Sequence, residues 1–156
     1  MQGEKMTRKS YLAAAVVLTV LLLGGCSASG PVFQPPAPPA NSATATLHVF
    51  RPDRFLAGGL SYTLYIDGRE FVSLPNNGIT RIDTDPGSHT IRIARVNFLF
   101  ALTFSDPLAL RLDGGETYYV KLHPGFMTAR LEQLDPSVAL REITVSRFVE
   151  PFRERY

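Results

Sequence analysis

The chain has no tryptophan, one cysteine and three histidines in 156 residues. A single cysteine excludes an intrachain disulfide framework and any cysteine-rich zinc site. The histidines, His48, His89 and His123, show neither H-x-x-H nor H-E-x-x-H spacing, so no metal site is expected among them. Charged residues are only 19% and the formal charge is +2, which argues against a nucleic-acid partner. No G-x-S-x-G elbow is present and no serine has a histidine in a recognised context, so no nucleophilic triad is read. The expectation is a non-enzyme without cofactors. An apolar share of 45% excludes a disordered or collagen-like chain. The length suits one domain of about 100–150 residues.

What is present begins with an address. Lys5, Arg8 and Lys9 precede an apolar run from Tyr11 to Leu23. That run is shorter than the roughly 20 residues a bilayer-spanning helix needs. A basic start, a short apolar stretch and small residues after it make a secretory signal over residues 1–25. Met6-Thr7-Arg8-Lys9 reads as the more usual opening of such a signal. Leu23-Gly24-Gly25-Cys26 then resembles the lipobox of bacterial lipoproteins. That resemblance implies cleavage between Gly25 and Cys26, with a diacylglycerol thioether on Cys26 and acylation of the new amino group. Two or three acyl chains hold a protein to a membrane durably. In Gram-negative lipoproteins an aspartate after the cysteine favours inner-membrane retention. Ser27 stands there instead, so the resemblance implies the outer membrane, facing the periplasm.

Without residues 1–25 the chain keeps 13 basic and 13 acidic residues, so no long-range basic field remains. Residues 26–44 hold five prolines, at 31, 35, 36, 38 and 39. This composition predicts an extended spacer reaching roughly 40–55 Å.

From residue 45 short β-favouring runs alternate with turn signals. Strands are predicted at 45–51, 60–66, 69–74, 79–83, 89–96, 108–112, 117–123 and 129–134. Asp67-Gly68 is a strong hairpin signal. Pro75 to Gly78, Asp85 to Ser88 and Asp113 to Glu116 mark further turns. Asp135-Pro136 predicts a capped start for one short helix, with Val138, Ala139, Leu140 and Ile143 as its apolar face. Seven or eight strands in residues 45–156 predict an all-β antiparallel sandwich.

Leu64-Tyr65-Ile66-Asp67-Gly68 followed by Pro86-Gly87-Ser88-His89-Thr90-Ile91 resembles the PEGA type of β-sandwich module. Adding Phe50-Arg51-Pro52, the loop from Phe55 to Gly59 and the run from Gly115 to Val120, residues 45–145 resemble the bacterial lipoprotein family called domain of unknown function 2846. The resemblance implies an immunoglobulin-like or transthyretin-like sandwich on a lipid anchor. It implies no reaction and transfers no catalytic residues.

Three surfaces are candidates for binding. Arg51 and Arg54 flank Pro52 and Asp53; two guanidinium groups there suit a carboxylate or phosphate, and an Arg–Asp brace is the alternative. Residues 97–104 are apolar on both faces, with Phe98, Phe100 and Phe104. Such a run is either a strand buried on both sides or an exposed contact ribbon. The tail interleaves Arg147, Arg153 and Arg155 with Phe148, Phe152 and Tyr156. Asp83 and Asp85 fall short of a calcium set. The functional expectation is a lipid-anchored envelope protein with a binding or structural domain and an envelope-protein or cell-wall partner. An accessory subunit docking through residues 97–104 is the alternative, ahead of an enzyme acting on envelope glycans.

Overall fold

Short β-favouring runs between turns form ten strands among the described residues, and a computed structural model places them in two facing sheets. The structure describes residues 27–35, 43–54, 58–96, 102–125 and 129–152. The strands are β1 (Ala45–Phe50), β2 (Tyr62–Ile66), β3 (Arg69–Leu74), β4 (Gly78–Thr84) and β5 (Gly87–Val96). They continue as β6 (Leu102–Phe104), β7 (Leu108–Leu112), β8 (Thr117–His123), β9 (Arg130–Leu134) and β10 (Arg147–Phe148), with helix α1 (Pro136–Glu142) before the last.

The first sheet runs β10-β4-β1-β8-β9 and the second β3-β2-β5-β6, with β7 also on β5. The molecule is an all-β sandwich. The sandwich core lies between the sheets and includes Leu47, Val49, Leu64, Leu74, Ile93 and Leu122. Each fully buried aliphatic side chain of this size contributes about 1.5–3 kcal/mol.

Chain direction gives the sandwich two ends. At one, here the Arg51 end, β1, β3, β5 and β8 finish and β4, β6, β9 and β10 begin. At the other, the Asp67 end, β2, β4, β7 and β9 finish. The β2–β3 hairpin turns at the Asp67 end through Asp67 (φ 49°) and Gly68 (φ 82°). Both central residues have positive φ, as the hairpin turn signalled by Asp-Gly requires.

A third layer covers the first sheet. All six residues of β1 are buried. Ala45, Leu47 and Val49 face the sandwich core. Phe50, from the other face, joins a second cluster with Phe33, Ile79, Tyr119, Ala139 and Ile143. Helix α1 supplies Ala139, and Ile143 is the residue at its C-terminal cap. Asp135 caps the helix, its carboxylate accepting from the Ser137 amide at 2.8 Å.

Phe33 comes from the stretch read as a spacer, and this corrects that reading for residues 27–35. Ser27 bridges Asn76 and Val32 bridges Arg147. The Phe33 amide donates to the Ser146 carbonyl at 2.8 Å and the Phe148 amide to the Pro31 carbonyl at 2.9 Å. Proline does not prevent this, because docking uses its carbonyl and not its absent N–H. Gly30 makes the close approach feasible: a Cβ there would lie 2.0 Å from the Phe148 carbonyl oxygen. Residues 36–42, the remainder of the proline-rich stretch, lie outside the described residues.

Two further expectations change. The sandwich is not purely antiparallel, since β1 pairs with β8 and β4 with β10 in parallel. There are ten strands among the described residues rather than seven or eight, because β6 and β10 are three and two residues long, too short for periodicity to register. Within the apolar 97–104 run Leu102–Phe104 form β6, and residues 97–101 lie outside the described residues.

Candidate functional site

The Arg51–Arg54 loop is braced, and its two arginines part company. Arg51 is fully buried. Its guanidinium donates to the carbonyls of Leu60 and Leu74 and lies 4.8 Å from the Tyr62 ring centroid. Burial lowers its pKa, while Tyr62 and Asp53 act in the opposite direction. Arg51 therefore ties β1 to the starts and ends of β2 and β3, and is no part of an exposed anion clamp. Burial of the whole side chain behind the loop is not legible from Arg-Pro-Asp-Arg alone.

Arg54 is exposed, and its amide donates to the Asn76 side-chain oxygen at 3.1 Å. The Asn76 side-chain nitrogen donates to Asp53. The expected Arg–Asp brace is thus built by an asparagine from the β3–β4 turn. Asn76 is the residue the sequence reading missed; its only signal was membership of a turn.

Of the three phenylalanines in the apolar run, Phe104 is described and Phe98 and Phe100 lie outside the described residues. Phe104 is 38% exposed, with Arg92 4.9 Å from its ring centroid and Tyr65 edge-on at 5.4 Å. Leu102, beside it, is 52% exposed. Gly25 and Cys26 lie outside the described residues, immediately before Ser27.

Each histidine has its own structural place. The His48 ring is buried between Phe33, edge-on at 5.0 Å, and Tyr119, stacked at 5.2 Å. Burial and the Arg81 charge lower its pKa to about 4, against smaller raising effects of the Thr80 backbone and Asp83. His89 bonds the Asp67 carboxylate at 2.7 Å and the Asp85 carbonyl at 2.9 Å. The hydrogen bond to Asp67 raises its pKa, partly opposed by burial. His123 pairs with Glu132 at 2.6 Å.

Asp83 accepts from Thr46 at 2.7 Å and from Arg81 at 3.0 Å, which occupies it structurally. Among the described residues no three His, Cys, Asp or Glu side chains group as metal ligands. An open groove of about 430 Å³ at the Asp67 end is lined by Glu116, Tyr118, Gln133 and Asp135. Among the described residues no helix is long and apolar enough to cross a membrane.

In the tail, the Arg147 side chain donates to the Gly30 carbonyl at 3.0 Å and the Phe152 amide to the Phe71 carbonyl at 2.8 Å. The segment to Phe152 is therefore part of the fold; Arg153, Arg155 and Tyr156 lie outside the described residues. Scanning against protein-family models finds no match for this chain, and a search of curated proteins finds none either.

Proposed function

We propose that the chain is a lipid-anchored protein of the bacterial cell envelope, held by acylated Cys26 in the outer membrane and facing the periplasm. Its sandwich serves as a binding or structural domain. The observation that carries this reading is Leu23-Gly24-Gly25-Cys26 after a basic start and a short apolar run. The only cysteine stands where lipid attachment needs a thiol, because a thiolate is the strongest side-chain nucleophile available. The experiment is metabolic labelling with an alkyne fatty acid, followed by intact-mass measurement of the mature protein. Incorporation that disappears in Cys26→Ala, with a mass matching cleavage before residue 26, is the expected result. A mature protein without acyl mass overturns the reading.

A further inference from the structure

The two ends of the sandwich differ in chemistry. At the Asp67 end the connections span residues 67–68, 85–86, 113–116 and 135. They carry five acidic residues, Asp67, Asp85, Asp113, Glu116 and Asp135, all exposed, and no basic one. At the Arg51 end the described residues of the connections are 51–54, 58–61, 75–77, 124–125, 129 and 143–146. Asp53 is their one acid. Their described exposed residues include Leu60 at 39% and Val145 at 64%, beside Leu102 of β6 at 52%. Short acidic turns thus close one end, while the described residues of the other hold one acid and expose Leu60 and Val145 beside Leu102.

The N-terminal segment adds an independent constraint. Ser27 bridges Asn76 and the Ala28 amide donates to the Asn76 carbonyl at 2.9 Å, both at the Arg51 end. Residue 26 directly precedes Ser27 in the sequence, so an anchor on it joins the domain through the docked Ser27. A spacer of roughly 40–55 Å reach is not interposed, because the proline-rich stretch follows the docked residues.

We propose that the Arg51 end is a lipid-facing surface, on which the sandwich stands against the bilayer that holds the acyl chains of Cys26. This rests on the anchorage proposed above. Exposed apolar side chains suit the boundary between headgroups and acyl chains. The anionic headgroup region attracts Arg54 and repels carboxylates, which places the acidic Asp67 end away from the lipid. The occupant is a lipid surface in preference to a protein, because the anchor fixes a bilayer at this end and no other.

The test uses the full mature protein in vesicles of phosphatidylethanolamine and phosphatidylglycerol. Acylated Cys26 leaves an introduced cysteine as the single free thiol, so Leu102→Cys, Val145→Cys, Asp113→Cys and Glu116→Cys each take one fluorophore. Brominated lipids report proximity to the bilayer, and intact mass reports acylation. The expected result is quenching several-fold stronger at 102 and 145 than at 113 and 116. Equal, weak quenching at all four sites in acylated protein overturns this proposal and leaves the anchorage standing. Protein that carries no acyl mass overturns both. Weak quenching at 102 and 145 in vesicles, with crosslinks from those sites to another protein in cells, overturns it in favour of a protein-docking end.

Discussion

The Ala28 amide is hydrogen-bonded to the Asn76 carbonyl at 2.9 Å, joining the first described residues of the chain to the β3–β4 turn. Five residues later Phe33 lies 8% exposed in the second core. Residues 27–35 are therefore a strap built into the domain. Two structural consequences can be measured. Phe33→Ala is expected to lower stability by about 3 kcal/mol, as for other large-to-small core changes. Gly30→Val is expected to lower it by about 1–3 kcal/mol, because its Cβ meets the Phe148 carbonyl oxygen. Urea unfolding measures both; changes within about 0.5 kcal/mol would refute a packed strap.

Arg51 and Arg54 are three positions apart and predicted to behave differently. Arg51→Met removes the donor to the Leu60 and Leu74 carbonyls. Buried carbonyls left without it should lower stability by about 1–3 kcal/mol. Arg54→Ala, at an exposed position, should stay within about 0.5 kcal/mol. The same unfolding titrations compare the two. An equal effect from both substitutions would contradict the buried placement of Arg51.

His48 makes the fold acid-sensitive. Its folded pKa of about 4 is depressed below 6.5, so the unfolded chain binds a proton first. The stability it permits is full above about pH 6.5 and is lost as pH falls toward 4. Between pH 7 and pH 4.5 the expected loss is about 2–3 kcal/mol, at about 1.36 kcal/mol per unit. The charged groups bearing on the ring are Arg81, which favours the neutral form, and Asp83, which favours the charged one. His48→Leu should flatten the pH dependence in this window. An unchanged slope in that variant would assign the acid sensitivity elsewhere.

The His89–Asp67 pair works in the opposite direction at its upper limit. The hydrogen bond to Asp67 raises the His89 pKa above 6.5, so its contribution is full below 6.5 and lost as pH rises through the raised value. Burial pushes the Asp67 carboxyl up, but the Thr90 amide and His89 outweigh this and hold it below 3.8. Its contribution is present above 3.8 and lost as pH falls through the depressed value. The pair therefore stabilises the hairpin most between about pH 4 and pH 6.5. His89→Gln should cost more stability at about pH 5.5 than at about pH 8.5. Proton NMR of the His89 ring should show a midpoint above that of a free imidazole; a midpoint below it would exclude the charged pair.

Much of this architecture was already legible as pattern. Residues 108–112 alternate, and the strands predicted over 69–74, 108–112 and 117–123 run over the same bounds in the structure. Asp67-Gly68 turns the hairpin because positive φ is a local property of those residue types. Asp135-Pro136 starts the helix for an equally local reason, a capping carboxylate before a residue that needs no donor. Candidate sites fared differently. Arg51 and His48 read as ordinary polar residues, yet both are fully buried, because burial depends on what covers them from elsewhere in the chain.

The sequence by itself determined the turns, most strand bounds and the helix start, since each depends on neighbouring residues. Only the tertiary structure decided that β1 is covered on both faces, that residues 27–35 are strap rather than spacer, and that the acids of the turns gather at one end with exposed Leu60, Leu102 and Val145 at the other. Those facts need segments such as 27–35 and 143–148 brought together across more than 100 positions. Long-range packing of that kind leaves no local period to read.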